Sequence, residues 1–352
     1  MQHFEIAGVP VGPDHPPIVL PDIGTFFNQD FALAESMIKS VSAAGCKFLK
    51  GEILHRADIC LDDDTKETYY GVKTGLVSER YRELVERKVV PLNVVKDQMA
   101  LARSLKLDVV LSVYDIEGAD FAAQQGAVAI KAASSNIAHE PLIRYIAALK
   151  LPMIIDTGKS TMEEIARAVQ WARDAGAERL IVEHSPDAPP APVAQHHLRM
   201  LKTLAQVFSC PVGLSDHHAG SEMMIAGAAL GASILEKGVC PDGVPVDQDV
   251  THALPLSQLS DLRVMCQNVH AALGSPMRTL KRDRAKPAAR MGLVARCDLA
   301  AGDVISLATV DFAFPAKGIE TEHWSIVDGW TVSGEIKAGT PIRWNDVRRL
   351  AP

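Results

Sequence analysis

Residues 152–183, PMIIDTGKSTMEEIARAVQWARDAGAERLIVE, read as one complete strand–helix–strand unit. Pro152–Asp156 and Arg179–Glu183 are short apolar runs too continuous to have a wet face, as strands of a helix-covered parallel sheet require. Between them, Thr161-x-x-Glu164 is a capping box. The helix it opens places Ile165, Val169 and Ala172 on one face, and Gly176 can end it.

The same alternation extends in both directions. Further strands are expected near Ile18–Ile23, Cys46–Lys50, Asp108–Val113, Val128–Lys131, Pro211–Ser215 and Ser233–Glu236, making eight in all. Leu33, Met37 and Val41 repeat at helical spacing before Gly45. Eight β-then-α units predict a (β/α)8 TIM barrel, assigned to residues 1–273. A doubly wound sheet is the runner-up, but no dinucleotide glycine fingerprint accompanies it. The stretch from Gly51 to Leu107 is too long for a bare loop and should carry extra structure.

Residues 274–290 read as a linker, in which Arg278, Lys281, Arg282, Arg284, Lys286 and Arg290 surround Asp283. A solvated connection explains them best, with a basic strap over an anionic site as the alternative. Residues 291–352 carry an internal echo, Asp298-Leu-Ala-Ala-Gly-Asp-Val-Ile305 against Glu335-Ile-Lys-Ala-Gly-Thr-Pro-Ile342. Two Ala-Gly turns flanked by strand-like runs predict a small β-rich domain with a meagre core.

Composition narrows the function classes. With 47% hydrophobic and 22% charged residues among 352, the chain is an ordinary folded protein. The 36 basic and 43 acidic residues leave a net charge of −7, no excess to attract nucleic acid or anionic lipid. No run approaches the roughly 18–20 apolar residues of a membrane span. Met1-Gln-His-Phe-Glu lacks a secretion signal's pattern, and six scattered cysteines without a Cys-x-x-Cys pair suit a reducing cytoplasm better than disulfides or a zinc cluster.

A barrel of this kind builds its active site at the C-terminal strand ends. Asp22, Lys50, Ser112, Lys131 with Ser134, the run Ser215-Asp216-His217-His218, and Glu236-Lys237 fall there. Two lysines and several hydroxyls can cradle a phosphate or carboxylate. The imidazoles beside Asp216 suit a divalent metal. His196-His197, expected in a helix, receives no role, and Cys240 reads as a buried thiol. No Gly-x-Ser-x-Gly elbow supports a seryl nucleophile.

The order Asp22-Ile-Gly, Lys50, Lys131-Ala-Ala-Ser134, Asp156-Thr-Gly158, Val212-Gly-Leu-Ser-Asp-His217, Gly231-Ala-Ser-Ile-Leu-Glu-Lys237 and the Ala-Gly-rich tail resembles the sialic acid synthases from about Ile18 to Ile342. That resemblance implies a barrel followed by an antifreeze-like (SAF) domain. It implies condensation of phosphoenolpyruvate with an amino-sugar aldehyde to a nonulosonic acid, a divalent metal (Mn2+ or Mg2+), and a domain-swapped homodimer. Lys50, Ser112, Lys131, Ser134 and Ser215 match its phosphoenolpyruvate-holding positions. His217 matches the first of two metal histidines, while Asp22 and Asp249 match positions on the acceptor side.

The departures are systematic. The family's Asn-His-Asn-Gly is Phe26-Phe27-Asn28-Gln29 here, and its Lys-Phe-Gln is Lys50-Gly51-Glu52, which makes Glu52 a candidate acceptor contact. The second metal histidine is Gly238, an acidic catalytic position is Asn136, and the SAF Arg-Pro-Gly is Phe314-Pro315-Ala316. Losing one imidazole of two weakens a metal site unless His218, Asp249 or Cys240 substitutes. A pocket rebuilt in its polar contacts selects another acceptor than N-acetylmannosamine. Two alternatives stand beside condensation: an impaired, anion-binding relative, and a lyase using Lys50 or Lys131 as a Schiff-base amine.

Overall fold

The computed structural model describes residues 4–71, 75–186, 191–243, 252–277 and 290–349. Its central sheet contains β1 (Ile18–Asp22), β2 (Phe48–Ile53), β3 (Asp108–Val113) and β4 (Ala129–Ala132). It continues through β5 (Met153–Asp156), β6 (Leu180–His184), β7 (Val212–Asp216) and β8 (Ile234–Cys240). Each strand pairs in parallel with the next, and β8 returns to β1. The expected (β/α)8 barrel is therefore closed. Its helices are α1 (Phe31–Ala43), α2 (Leu92–Ser104), α3 (Ile116–Gln124), α4 (Glu140–Ala148), α5 (Met162–Asp174), α6 (Met200–Phe208), α7 (Glu222–Ala229) and α8 (Leu259–Leu273).

Successive strand residues face opposite sides of the sheet, and both sides are covered here. Val19, Leu49, Val109, Leu111, Ile155, Val182, Leu214 and Leu235 pack outward against helices. Inward, Ile18, Leu20, Phe48, Val110, Ala129, Ile154, Ile181 and Ile234 form a separate buried cluster with Ile6 and Val11. Those last two come from an antiparallel pair, Phe4–Ile6 with Val9–Val11, which closes the amino end of the barrel. Each such aliphatic side chain contributes about 1.5–3 kcal/mol of burial. The inward positions turn polar one step further along every strand.

The capping box forms as expected. The Glu164 backbone N–H donates to Thr161 Oγ1 at 3.2 Å, and the Thr161 N–H donates to Glu164 Oε2 at 2.8 Å. Ile165, Val169 and Ala172 are the buried face of α5, joined by Ala168. Thr161→Ala is expected to cost about 1 kcal/mol, read as a lower urea midpoint with an unchanged slope.

Of two local expectations, the extra structure between Gly51 and Leu107 is present and the helix at His196-His197 is not. The stretch after β2 carries an antiparallel pair, Lys66–Gly71 with Gly75–Arg80, then a short helix Tyr81–Glu86 before α2. His196 and His197 lie outside a helix: His197 takes a left-handed φ of 41°, and α6 starts only at Met200.

The chain forms two compact units, Met1–Gly274 and Ser275–Pro352. Of the predicted linker, Arg278, Lys281, Arg282, Asp283, Arg284 and Lys286 lie outside the described residues. In the second unit the echoed segments pair with each other, Leu299 against Ile336, and Asp298 Oδ1 accepts from the Ala338 N–H at 2.9 Å. Leu293, Ile305, Val310, Ile319, Val332 and Ile342 fill its small core.

Candidate active site

The polar tier above the apolar plug follows from the two-residue period. Leu20 is followed inward by Asp22, Phe48 by Lys50 and Glu52, Val110 by Ser112, Ala129 by Lys131, Ile154 by Asp156, Ile181 by Glu183, and Ile234 by Glu236. Parallel register sets Asp22 beside Lys50, Glu52 beside Ser112, Ser112 beside Lys131, Asp156 beside Glu183, and Ser215 beside Glu236. Gly213 leaves room for one of these groups, because a Cβ there would stand 3.1 Å from Glu183 Cγ and Oε1.

Both predicted lysines reach this tier, and both are met by carboxylates. Lys50 Nζ lies 2.6 Å from Asp22 Oδ2, 3.4 Å from Glu52 Oε1 and 3.5 Å from Glu236 Oε1. Lys131 Nζ lies 2.8 Å from Asp156, 2.7 Å from Glu183 and 2.7 Å from Glu236 Oε1. Ser215 Oγ donates to the same Glu236 Oε1 at 3.1 Å. Lys50, Lys131 and Ser215 thus converge on one carboxylate, Glu236, and Ser112 stands beside Lys131 in the same buried tier. Asp156, Glu183 and Glu236 stand at the spacing at which three donors can share one cation, and the Lys131 ammonium lies among them.

Burial opposes the charge on each lysine, but the surrounding carboxylates outweigh it and hold both pKa values above the ordinary lysine value. Burial pushes Glu183 up to about 8; Glu236 and Asp156 add to the rise against the pull of Lys131. Burial likewise pushes Asp22 up to about 7 despite Lys50 beside it, with Glu236 and Glu52 contributing. Glu236 goes the other way, since Lys131 and Lys50 together overcome its burial.

Next to this tier stand the histidines. His217 follows β7 directly, and its ring centroid is 4.8 Å from that of His252. Phe26 meets His252 edge-on at 6.3 Å. At Gly238 a Cβ would stand 2.9 Å from Phe26 Cζ and 3.7 Å from His252 Nε2. The Phe26 ring therefore occupies the space a side chain at 238 would need. Burial and the neighbouring cations keep both imidazoles neutral: His217 falls well below the ordinary histidine value, and His252 falls to about 4.

The remaining predicted residues divide. Ser134 opens a short turn, Ser134–Asn136, with its Oγ near Gly158, and Asn136 donates to the Val113 carbonyl at 3.4 Å. Asp249 lies outside the described residues. Glu52 faces Lys50 and accepts from Tyr114 at 3.2 Å. Phe27 is buried in the strand–helix core, so only Phe26 of that pair faces the histidines. His218 stands 3.3 Å from Glu222, and Cys240 packs with Ala253 and Phe26. Sequence reasoning put Glu236 at a strand end of the site without giving it a role, and missed Asp156 and Glu183 as site members, although the period-two step beyond each inner apolar residue signals them. It also missed His252, a lone histidine that no local sequence pattern marks.

Comparison with known proteins places this geometry. The NeuB family description matches residues 37–278, and that of the SAF domain matches residues 290–348. The N,N'-diacetyllegionaminic acid synthase of Campylobacter jejuni is 26% identical over 330 residues, 93% of this chain and 98% of that protein. The pseudaminic acid synthase of Helicobacter pylori is 24% identical over 340 residues, 95% and 98% of the two chains. The solved structure of N-acetylneuraminic acid (sialic acid) synthetase from Leptospira borgpetersenii superposes with a TM-score of 0.71 at 19% identity. It covers 81% of this chain and 94% of that one, a likeness of fold.

Proposed function

The chain belongs to the NeuB family and carries a C-terminal SAF domain, and on that premise we propose that it condenses phosphoenolpyruvate with a sugar aldehyde to a 2-keto-3-deoxy nonulosonic acid. The names of its relatives, legionaminic, pseudaminic and sialic acid synthases, support the product class. The observation that carries the reading is the convergence of Lys50, Lys131 and Ser215 on Glu236 Oε1.

In this reading Lys50 and Lys131, with Ser112, Ser134 and Ser215, take the phosphate and carboxylate, Asp22 and Glu52 serve the acceptor, and the resemblance gives Asp249 the same role. The enol carbon then bonds to the aldehyde carbon, water adds at the resulting cationic centre, and phosphate leaves as the keto group forms. Holding both reactants in one hollow supplies proximity. A divalent cation, Mn2+ or Mg2+, bound at His217 would polarise the acceptor carbonyl. Phe26 offers a substrate no hydrogen bond and Glu52 offers it a carboxylate, a pairing that points to an acceptor other than N-acetylmannosamine.

Two ammoniums among five carboxylates form an unusual anion site. Phosphoenolpyruvate must displace or protonate some of these acids, and the raised values of Asp22 and Glu183 make protonation inexpensive. The Schiff-base alternative is disfavoured, because such an amine must be neutral and these carboxylates hold both lysines charged. The anion-binding relative without turnover is a second reading, motivated by Gly238 in place of a metal histidine and Asn136 in place of a catalytic acid.

Phosphate release from phosphoenolpyruvate with a panel of aldoses and Mn2+ tests the proposal, and silence across the panel counts against it. Calorimetric binding without turnover would favour the second reading. The assembly is proposed to be a swapped homodimer, expected to sediment at twice the chain mass. A cytoplasmic location fits the six unpaired cysteines, five of them buried. No helix among the described residues is long and apolar enough to cross a membrane.

A further inference from the structure

Gly238 removes an imidazole from β8, yet the space it vacates is not empty of imidazole nitrogen. His252, which enters from the segment after β8, brings Nε2 to 3.7 Å from where a Cβ at 238 would lie. Phe26 fills the rest of that space and braces His252 edge-on. His252 is 5% exposed, and its Nδ1 and that of His217 are buried without a hydrogen-bond partner among the described residues. Buried imidazole nitrogens with nothing to bond call for a partner.

We propose that His252 supplies the second imidazole of a divalent-metal site with His217, replacing in space the ligand that Gly238 lacks in sequence. The inference rests on the reading of this barrel mouth as a condensation site. Two imidazoles sharing one ion at about 2.1 Å, each centroid roughly 1.1 Å further on, stand about 4.5–5.2 Å apart for angles between 90° and 109°. The observed 4.8 Å falls within that interval.

The other candidates fit less well. His218 is engaged with Glu222, and the trio Asp156, Glu183 and Glu236 already surrounds the Lys131 ammonium. Relocating the ligand also explains Phe26: with histidine at 252, the ring seals the side where the family histidine would project.

The test reads the metal rather than turnover. Wild-type protein loaded with Mn2+ is expected to show two coupled imidazole nitrogens by pulsed electron paramagnetic resonance. His252→Gln, close in size, should show one and bind Mn2+ at least tenfold more weakly in titrations of the free-ion signal. Glu183→Gln should bind as the wild type does. One or no imidazole nitrogen in the wild-type spectrum would overturn the proposal, and needs no variant to fold. So would loss of Mn2+ in Glu183→Gln with retention in His252→Gln, which would assign the ion to the acidic trio. Phosphoenolpyruvate calorimetry on the metal-free protein reports separately on the condensation reading, so the two can fail independently.

Discussion

Lys131→Met is expected to abolish condensation and to lower stability at pH 8 by about 3–5 kcal/mol, the cost of breaking a buried ion pair from one side. Methionine keeps the length and apolar stem of the side chain but removes the ammonium that lies within 2.8 Å of Asp156, Glu183 and Glu236. Three buried carboxylates would then face one another, with only Lys50, 3.5 Å from Glu236, to offset them. Unlike a cavity, such a defect can be relieved by protons. The deficit in urea unfolding should therefore shrink between pH 8 and pH 5 as the acids become neutral.

Adding Glu183→Gln to Lys131→Met should recover part of the missing stability and none of the activity. That split separates the structural role of the ammonium from its role toward substrate. A Lys131→Met protein as stable as wild type at pH 8 would show that the carboxylates are hydrated, and the compact tier described above would be wrong.

How far the sequence reveals this site depends on the element. All eight strands were legible because each is a dense apolar run between helical segments, and Thr161-x-x-Glu164 marked its helix start outright. The strand ends were legible too, and the structure sets Lys50, Ser112, Lys131 and Ser215 in one polar tier there. What stayed hidden was what those groups meet. Asp156, Glu183 and Glu236 belong to strands read as uniformly buried, and burial of a carboxylate goes unnoticed until its partner lysine is seen across the barrel. Glu183 Oε2 reaches Lys131 only because β4, β5 and β6 are adjacent and in a fixed register. His252 was hidden for another reason: no repeat, cap or strand period marks it in the sequence. The seven-segment resemblance located the missing histidine at Gly238, while the steric fit of Phe26 and His252 around that glycine exists only in three dimensions.

Phosphoenolpyruvate binding is expected to take up protons, and its affinity to fall steeply as pH rises from 7 to 9. Asp22 and Glu183 titrate near 7 and near 8 in the empty site. Above those values both are ionised, and the incoming ligand meets five carboxylates against two ammoniums. Protonating the two acids removes two of those charges, so the bound state holds protons the free state has lost. The dissociation constant should then rise by up to about tenfold per pH unit for each proton taken up. Near pH 8 the phosphate of the free ligand is already fully ionised, its second pKa being about 6, so uptake there reports on the protein. Calorimetry at pH 8 in buffers of different ionisation heat should give between one and two protons bound per ligand, and about half a proton fewer in Glu183→Gln, since Glu183 is already about half protonated at that pH. Folding follows the same sign. A carboxyl whose folded pKa is raised contributes stability that is complete below its unfolded pKa and lost as pH climbs through the folded value. For Glu183 that window runs from about 4.5 to about 8, and the glutamine variant should lack the decline, gaining on wild type as pH increases. Binding that is indifferent to pH across 7 to 9, with no buffer-dependent heat, would mean the acids move aside without protonation, and the charge balance proposed for this site would have to be abandoned.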